Sequence, residues 1–231
     1  MSTEPITDEA LYRLMAWLSP GFPVGAYAYS HGLEFAVEDG RVTDEKSLCT
    51  WIEGILSFGA GATDGPLFAA AWRANGDAAL LEIAELADCY RATAEMALES
   101  GAQGDAFLGT VAETWTSADF AHHADILRGQ GRPVAYAIAV GVAAADAGVP
   151  LRATLIAYFH AFAANLTSAG VRLIPLGQVA GQRIIEALRG PVSAAANAAM
   201  QTPLDEIGSA GALIDWTSIA HETQYTRLFR S

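Results

Sequence analysis

The sequence predicts an all-α protein, a single-domain helical bundle of roughly ten helices around a central apolar helix. Apolar residues recur at helical spacing in most segments, whereas the alternation of β-branched residues that is typical of strands is absent. Alanine, which has the highest helix propensity, is abundant. With 231 residues, 52% of them hydrophobic and 17% charged, the chain is long enough for one large core, and no linker divides it. We therefore treat residues 1–231 as one domain, with flexible ends at residues 1–6 and 221–231.

The central helix is predicted from residues 153–171, which carry no formal charge over 19 positions. A run of this length raises the question of a membrane span. Its ends carry neither aromatic belts nor a basic flank, and four polar residues interrupt it: His160, Asn165, Thr167 and Ser168. We therefore expect a core helix and no membrane partner.

Five polar residues at and beyond the end of this run recur at helical spacing. We call them the polar ridge: Asn165, Ser168, Arg172, Gln178 and Gln182. The first three share one helix face, and the two glutamines share a face of the next helix. Pro175 cannot continue the first helix because it lacks an N–H, and we expect it to start the second as an early helical position. Either other helices of the domain satisfy the ridge, or part of it faces another protein.

Capping signals define the helices of the first part of the chain. Thr7, followed by two acids, begins a helix that runs to about Trp17 and turns four residues toward the core: Leu11, Leu14, Met15 and Leu18. A loop rich in Pro and Gly follows at residues 19–25, and a short helix after it ends at Gly40. Asp44 is expected to cap the next helix.

The glycine-rich segment 59–65 lacks the Lys and the preceding strand of a phosphate-binding loop, so we do not expect nucleotide binding there. Asp64 is instead expected to cap a helix that begins near Pro66.

The later helices are predicted from periodicity and from their start and stop signals. They lie at residues 77–90, 92–115, 133–147 and 191–201, with weaker candidates at 203–206 and 215–220. Gly101 and Gly104 are expected to interrupt the second of these, and they indicate close packing of a neighbouring element. Residues 133–147 are so rich in Ala and Val that we expect burial on all sides.

The best candidate for a metal site is the segment that contains His122 and His123. Asp119 and His123 are four residues apart, and His122 and Asp125 are three apart, so each pair shares a helix face. The two pairs point to different faces, and one helix therefore offers at most two ligands to a site. We expect a polar surface helix and no metal site, while weak capture of nickel remains open.

Charge is unevenly distributed along the chain. Residues 1–125 hold 20 Asp and Glu against 5 Arg and Lys, whereas residues 126–231 hold 6 against 8. The acidic balance, −13 overall, argues against a nucleic-acid partner, because phosphates require a basic surface. The asymmetry is compatible with two unlike protein partners, or simply with solvated acidic helices.

The cysteines and the start of the sequence indicate a cytoplasmic protein. Cys49 and Cys89 are not at metal-binding or redox spacing, so we interpret them as small core residues in a reducing compartment. The first residues contain neither the basic region nor the apolar run of a signal peptide.

Signatures of catalysis are missing from the sequence. There is no G-x-S-x-G elbow, no H-E-x-x-H motif and no paired carboxylates in a marked apolar context. Ser30 and His31 are adjacent, and on a helix they would point about 100° apart, which disfavours a nucleophile and base pair. We therefore predict a scaffold with no catalytic residues and no cofactor.

Three segments together resemble the family of the urease accessory protein UreF. They are Ser19–Gly25 with Tyr29–Glu34, then Val171–Gln178 with Gln182, and finally His221–Ser231. The three segments occur in the same order as in that family, with matching spacing over nearly the whole chain. The resemblance implies an all-helical, non-enzymatic homodimer that binds the accessory protein UreD, also called UreH. It further implies recruitment of the GTPase UreG and delivery of nickel to apo-urease.

The resemblance also implies which residues bind partners. They comprise three members of the polar ridge and six residues of the last segment: Arg172, Gln178, Gln182, His221, Glu222, Tyr225, Arg227, Phe229 and Arg230. Two alternatives stay open, a small metal-dependent enzyme that uses the region of His122 and His123, and a generic helical protein-binding module.

Overall fold

The computed structural model describes residues 6–115 and 117–231, and in these residues the chain is helical with no β-strand. The α-helices are α1 (Asp8–Trp17), α2 (Leu33–Glu38), α3 (Glu45–Phe58), α4 (Ala60–Arg73), α5 (Asp77–Cys89), α6 (Ala94–Thr114), α7 (Ala118–Arg128), α8 (Tyr136–Asp146), α9 (Leu151–Leu173), α10 (Gln178–Ala187), α11 (Arg189–Gln201) and α12 (Ala212–His221). Two short 3-10 helices lie at Ala26–Ala28 and Leu204–Glu206. The all-α prediction is confirmed, and the predicted flexibility of residues 1–5 lies outside the described residues.

Two of the predicted capping residues, Thr7 and Asp44, start their helices as expected. The Thr7 hydroxyl accepts a hydrogen bond from the backbone N–H of Ala10 at 3.1 Å, which satisfies a donor in the first turn of α1. At the start of α3, the Asp44 carboxylate accepts from the backbone N–H of Ser47 at 2.7 Å. The Ser47 hydroxyl in turn accepts from the backbone N–H of Asp44 at 3.0 Å, which completes a capping box.

The most deeply buried helix is α8, in which the run from Ala137 to Ala144 is buried without a break. It packs between α4 and α6, and the expected burial on all sides is confirmed. The longer α9, which was expected to be central, leaves Arg152, His160 and Ser168 exposed, so its central place is not confirmed. No helix within the described ranges is both long and apolar enough to cross a membrane.

Two glycines of α6 allow the close approach of another segment, but they do not interrupt the helix. A Cβ on Gly104 would lie 1.8 Å from the carbonyl oxygen of Val134, and one on Gly101 would lie 2.7 Å from the Cβ of Pro133. Such distances leave no room for a methyl group. The predicted close packing is therefore confirmed, and the predicted interruption is wrong.

The start of α4 differs from the prediction. The helix begins at Ala60, so Asp64 lies inside it and does not cap a helix near Pro66. The Asp64 carboxylate instead forms an ion pair with Arg91 at 2.7 Å. Gly61 makes the early start possible, because a Cβ there would lie 2.1 Å from the carbonyl oxygen of Leu56.

The core face of α1 also differs from the prediction. Ala10, Leu14 and Trp17 are buried, while Leu11 and Met15 are mostly exposed. Trp17 determines this orientation, because its ring packs edge-on against Phe107 and Trp115 in the core.

The break between α9 and α10 is longer than predicted. Ile174 is extended, as expected for a residue before proline, and α10 begins at Gln178 instead of at Pro175. Cys49 is half-buried but Cys89 is exposed, so the interpretation of both cysteines as core residues is wrong for Cys89.

We expect Gly104→Ala to destabilise the protein by about 3 kcal/mol or to prevent folding, because neither α6 nor the facing backbone can move aside easily. Gly54→Ala in α3 is the matched control, since an added Cβ there meets nothing within 4 Å. Within a helix this control should stabilise by about 0.5–1 kcal/mol. Urea unfolding measures both changes. Equal stability of the Gly104→Ala variant and the parent would contradict the close contact.

Candidate functional site

The last residues of the chain fold back onto the segment that precedes α2. We call residues 221–231 the tail. The backbone N–H of Arg230 donates to the carbonyl of Ala28 at 2.8 Å, and that of Ser30 donates to the carbonyl of Ser231 at 2.8 Å. The side chains of Phe229 and Ser231 are buried. These contacts attach the last residues of the chain to residues 28–30.

The Glu34 carboxylate is the main acceptor for the tail. It accepts from the backbone N–H groups of Leu228 at 2.6 Å and Phe229 at 2.9 Å, and it contacts Nε2 of His221 at 3.1 Å. Only 7% of the Glu34 side chain is exposed, so this charge is largely removed from water. Its hydrogen bonds offset much of the cost of burying it.

His221 lies between two carboxylates. It is fully buried, and its Nδ1 contacts Glu95 at 2.7 Å while its Nε2 contacts Glu34. An ionised carboxylate only accepts hydrogen bonds. The His221 ring can therefore donate to both acids at once only when each of its two nitrogens carries a proton. Glu95 also accepts from Nη1 of Arg227 at 2.7 Å.

The second buried acid of α6, Glu99, binds the other end of the tail. Its carboxylate accepts from the hydroxyl of Ser231 at 2.9 Å and contacts Nδ1 of His31 at 3.2 Å. His31 has a left-handed backbone with φ of 57°. Burial lowers the pKa of the His31 imidazole, but the charge and hydrogen bond of Glu99 outweigh burial, so the net pKa is raised above its ordinary value.

Helix geometry explains why α6 supplies both acids. Glu95 and Glu99 are four residues apart and therefore share a face. Two like charges at that spacing repel each other. The cationic side chain of Arg227 and the imidazoles of His221 and His31 face them, which offsets the repulsion.

Arg172 connects the polar ridge to the tail. Its Nη2 donates to the carbonyl of Tyr27 at 3.0 Å, and its guanidinium carbon lies 4.4 Å from the centroid of the Phe229 ring. Asn165 holds the same segment, because its side-chain amide donates to the carbonyl of Tyr29 at 3.3 Å. The ridge and the tail, predicted separately, thus meet in one surface.

The two glutamines of the ridge lie apart from these contacts. Gln178 and Gln182 are exposed on α10, and among the described residues neither side chain makes a hydrogen bond. The ridge therefore divides into two parts. Asn165 and Arg172 bind the chain's own backbone, while the glutamines have their hydrogen-bonding groups free for water or a partner.

The residues expected to bind partners divide by exposure. The exposed ones are Arg172, Gln178, Gln182, Glu222, Tyr225, Arg227 and Arg230. His221 and Phe229 are buried, so in this structure their side chains contact the core and not a surface that a partner can reach. Any effect of these two residues on binding must act through the shape of the tail.

The acids that hold the tail were not predicted from the sequence. Glu34 follows a buried leucine, and Glu95 and Glu99 sit one turn apart in a helix whose buried face is mostly small or apolar. Acids at such positions are a signal of buried charge pairs. The signal identifies the acids but not their partners.

The candidate metal residues do not form a cluster. His122 contacts Asp77 at 2.9 Å, and His123 contacts Asp146 at 2.9 Å, so each imidazole pairs with an acid of a different helix. In the part of the chain that the structure describes, no group of three or more His, Cys, Asp or Glu side chains could hold a metal ion. The expected polar surface helix is what α7 shows at these positions.

Comparison with known proteins gives a consistent result. The sequence model of the UreF family matches residues 42–189. The urease accessory protein UreF of Granulibacter bethesdensis is 50% identical over 99% of this chain and 97% of its own length. The protein of that name from Rhodopseudomonas palustris strain BisB5 is 49% identical over 100% and 96% of the two chains. The one from Magnetococcus marinus is 44% identical over 97% and 99%.

We expect the contribution of His31 to stability to depend on pH. Its raised pKa means that the folded state binds the proton more tightly than the unfolded state does. The contribution is therefore fully present below the ordinary pKa of 6.5 and is lost as pH rises through the higher folded pKa. His31→Asn, which tolerates the left-handed backbone, should cost about 2 kcal/mol at pH 6 and less at pH 9.

Urea unfolding at several pH values measures this difference. His160→Asn, at an exposed position of α9, is the control and should change stability only slightly. A His31→Asn cost that stays constant from pH 6 to pH 9 would contradict the charged contact with Glu99.

Proposed function

The chain belongs to the UreF family of urease accessory proteins, and we propose that it holds UreD (UreH), the GTPase UreG and apo-urease in one complex that inserts nickel. Its relatives are named as accessory proteins and not as enzymes, and the chain is likewise a non-catalytic factor of urease maturation. In this proposal nickel is the cargo of the complex, and the chain itself needs no cofactor.

The observation that carries the proposal is the contact of Arg172 with both the 3-10 helix at Ala26–Ala28 and the tail. Tyr27 of this 3-10 helix and Tyr225 and Leu228 of the tail are largely exposed. Aromatic residues and arginine dominate binding energy at protein interfaces, and a group of them on one exposed surface supports a docking role.

Charge supports the same surface. Arg172, Arg227 and Arg230 place cations there on a chain with a net charge of −13. Exposed cations on an acidic protein favour an acidic partner surface and orient the approach of that partner. We assign this surface to UreD. We further propose that the protein is a homodimer and that it is located in the cytoplasm. The free cysteines Cys49 and Cys89 support a reducing compartment.

We expect Arg172→Ala to weaken binding to UreD and activation of urease, with little change in melting. Its side chain is exposed, so loss of two hydrogen bonds to backbone carbonyls and one cation–π contact costs only about 1 kcal/mol of stability. Gln178→Ala should act in the same direction but less strongly, since it removes a neutral group. Copurification with UreD and urease activity at equal expression are the measurements.

Arg189→Ala is the matched control, because that side chain is also an exposed cation, 85% accessible, but lies at the start of α11. If the Arg172 and Gln178 variants activate urease as well as this control does, the ridge is not a functional surface. Deleting the tail is a less selective test, since it also removes the donors that contact the buried acids Glu34 and Glu95.

We expect the purified protein to retain no stoichiometric nickel after gel filtration. Within the described residues no cluster offers three or more ligands, and a tight site needs them at coordination distance. Elemental analysis by mass spectrometry measures the content. One tightly held ion per chain, lost on His122→Ala with His123→Ala, would favour the metal-dependent alternative.

A further inference from the structure

We propose that Glu34 and Glu95 form a double clamp, which holds residues 222–227 at both ends as a recognition loop for UreD. The proposal rests on the docking role given above and adds to it the residues that fix the shape of the docking surface. Neither acid reaches the partner in this view, because both side chains are more than nine-tenths buried.

The first part of the clamp is Glu34. Its contact with His221 lies immediately before the loop, and its contacts with the N–H groups of Leu228 and Phe229 lie immediately after it. One carboxylate from α2 thus binds the chain on both sides of the loop.

The second part is Glu95, which repeats this arrangement from α6. Its Oε2 contacts His221 at 2.7 Å before the loop, and its Oε1 accepts from Arg227 at 2.7 Å at the end of the loop. His221 is shared by the two acids, so the start of the loop is held from two helices at once. The loop contains no regular helix or strand, and these side chains therefore determine where it lies.

The tip of the loop is what the clamp presents. Tyr225 is fully exposed and lies four residues or fewer from each clamped position. A free loop would sample many conformations, and a partner would have to order it on binding, which reduces affinity. A loop closed at both ends presents the Tyr225 ring already positioned, so the clamp contributes to affinity through preorganisation.

Beside the tip, Gln224 donates to Glu38 in a short contact, but both groups are exposed. That contact is expected to add little compared with the two buried acids.

The test uses the full-length chain with Glu34→Gln and Glu95→Gln. Each change keeps the shape of the side chain but removes the charge and one acceptor oxygen. Hydrogen exchange should show the amides of Leu228 and Phe229 exchanging at least tenfold faster, while the amides of α8 keep their protection. Affinity for purified UreD should fall by about tenfold in each variant.

Glu99→Gln is the matched control. Glu99 is an equally buried acid on the same helix, but it contacts His31, Gln103 and Ser231 and no residue of the loop. Its loss should lower the melting temperature as much as the Glu95 change does, yet leave UreD affinity within about twofold of the parent. If affinity merely follows melting temperature across the three variants, the acids act through overall stability and the clamp is wrong.

A double-mutant cycle with Tyr225→Ala tests the positioning role directly. If the clamp acts by presenting Tyr225, then Glu34→Gln combined with Tyr225→Ala should bind no more weakly than the weaker single variant. Additive losses would overturn the proposal.

The exchange measurement separates this inference from the docking role itself. Unchanged exchange at Leu228 and Phe229 in Glu34→Gln overturns the clamp even if UreD still binds to the surface. A second outcome is faster exchange in Glu34→Gln together with Tyr225→Ala and Arg172→Ala variants that bind UreD as tightly as the parent. That outcome overturns the docking surface, and with it the role of the loop in recognition.

Discussion

The structure around the tail depends on the neutralisation of three buried carboxylates, Glu34, Glu95 and Glu99. An uncompensated charge in the interior costs several kcal/mol, whereas a well-paired one is tolerated. Apart from Gln103, one turn from Glu99, the partners of these acids lie 68 to 195 positions away in the sequence. The residues of α2, α6, α12 and the tail must therefore all be in place before the three charges are satisfied together. The polar network therefore makes the docking surface a product of the whole fold and not of the tail alone.

Much of the fold could be predicted because its signals are local. Thr7 and Asp44 start their helices through contacts within one turn, and the Ala-rich α8 is buried because no face of it is polar. The errors lie where a tertiary contact decides. Gly61 permits a sharp corner between α3 and α4 that composition alone does not reveal, and the packing of Trp17 turns α1 away from the face that Leu11 and Met15 indicated.

The candidate site was predictable only in part, because it too depends on contacts between segments that are distant in the sequence. The resemblance to the UreF family identified the segments that contain Glu34, Arg172 and the tail, but a one-dimensional pattern does not show that they touch. His221 illustrates the difference. From the sequence it belongs to a terminal motif expected to bind partners, whereas in the structure its ring lies between two acids and organises residues that are themselves exposed. The burial of His221 indicates that it supports the tail from inside, which its residue type alone does not indicate.

The burial of Ser231 has a practical consequence. Its side chain and carbonyl are buried and enclosed by hydrogen bonds to Glu99 and Ser30. A purification tag or fluorescent fusion joined directly after Ser231 would have to leave from an enclosed position and would displace those bonds.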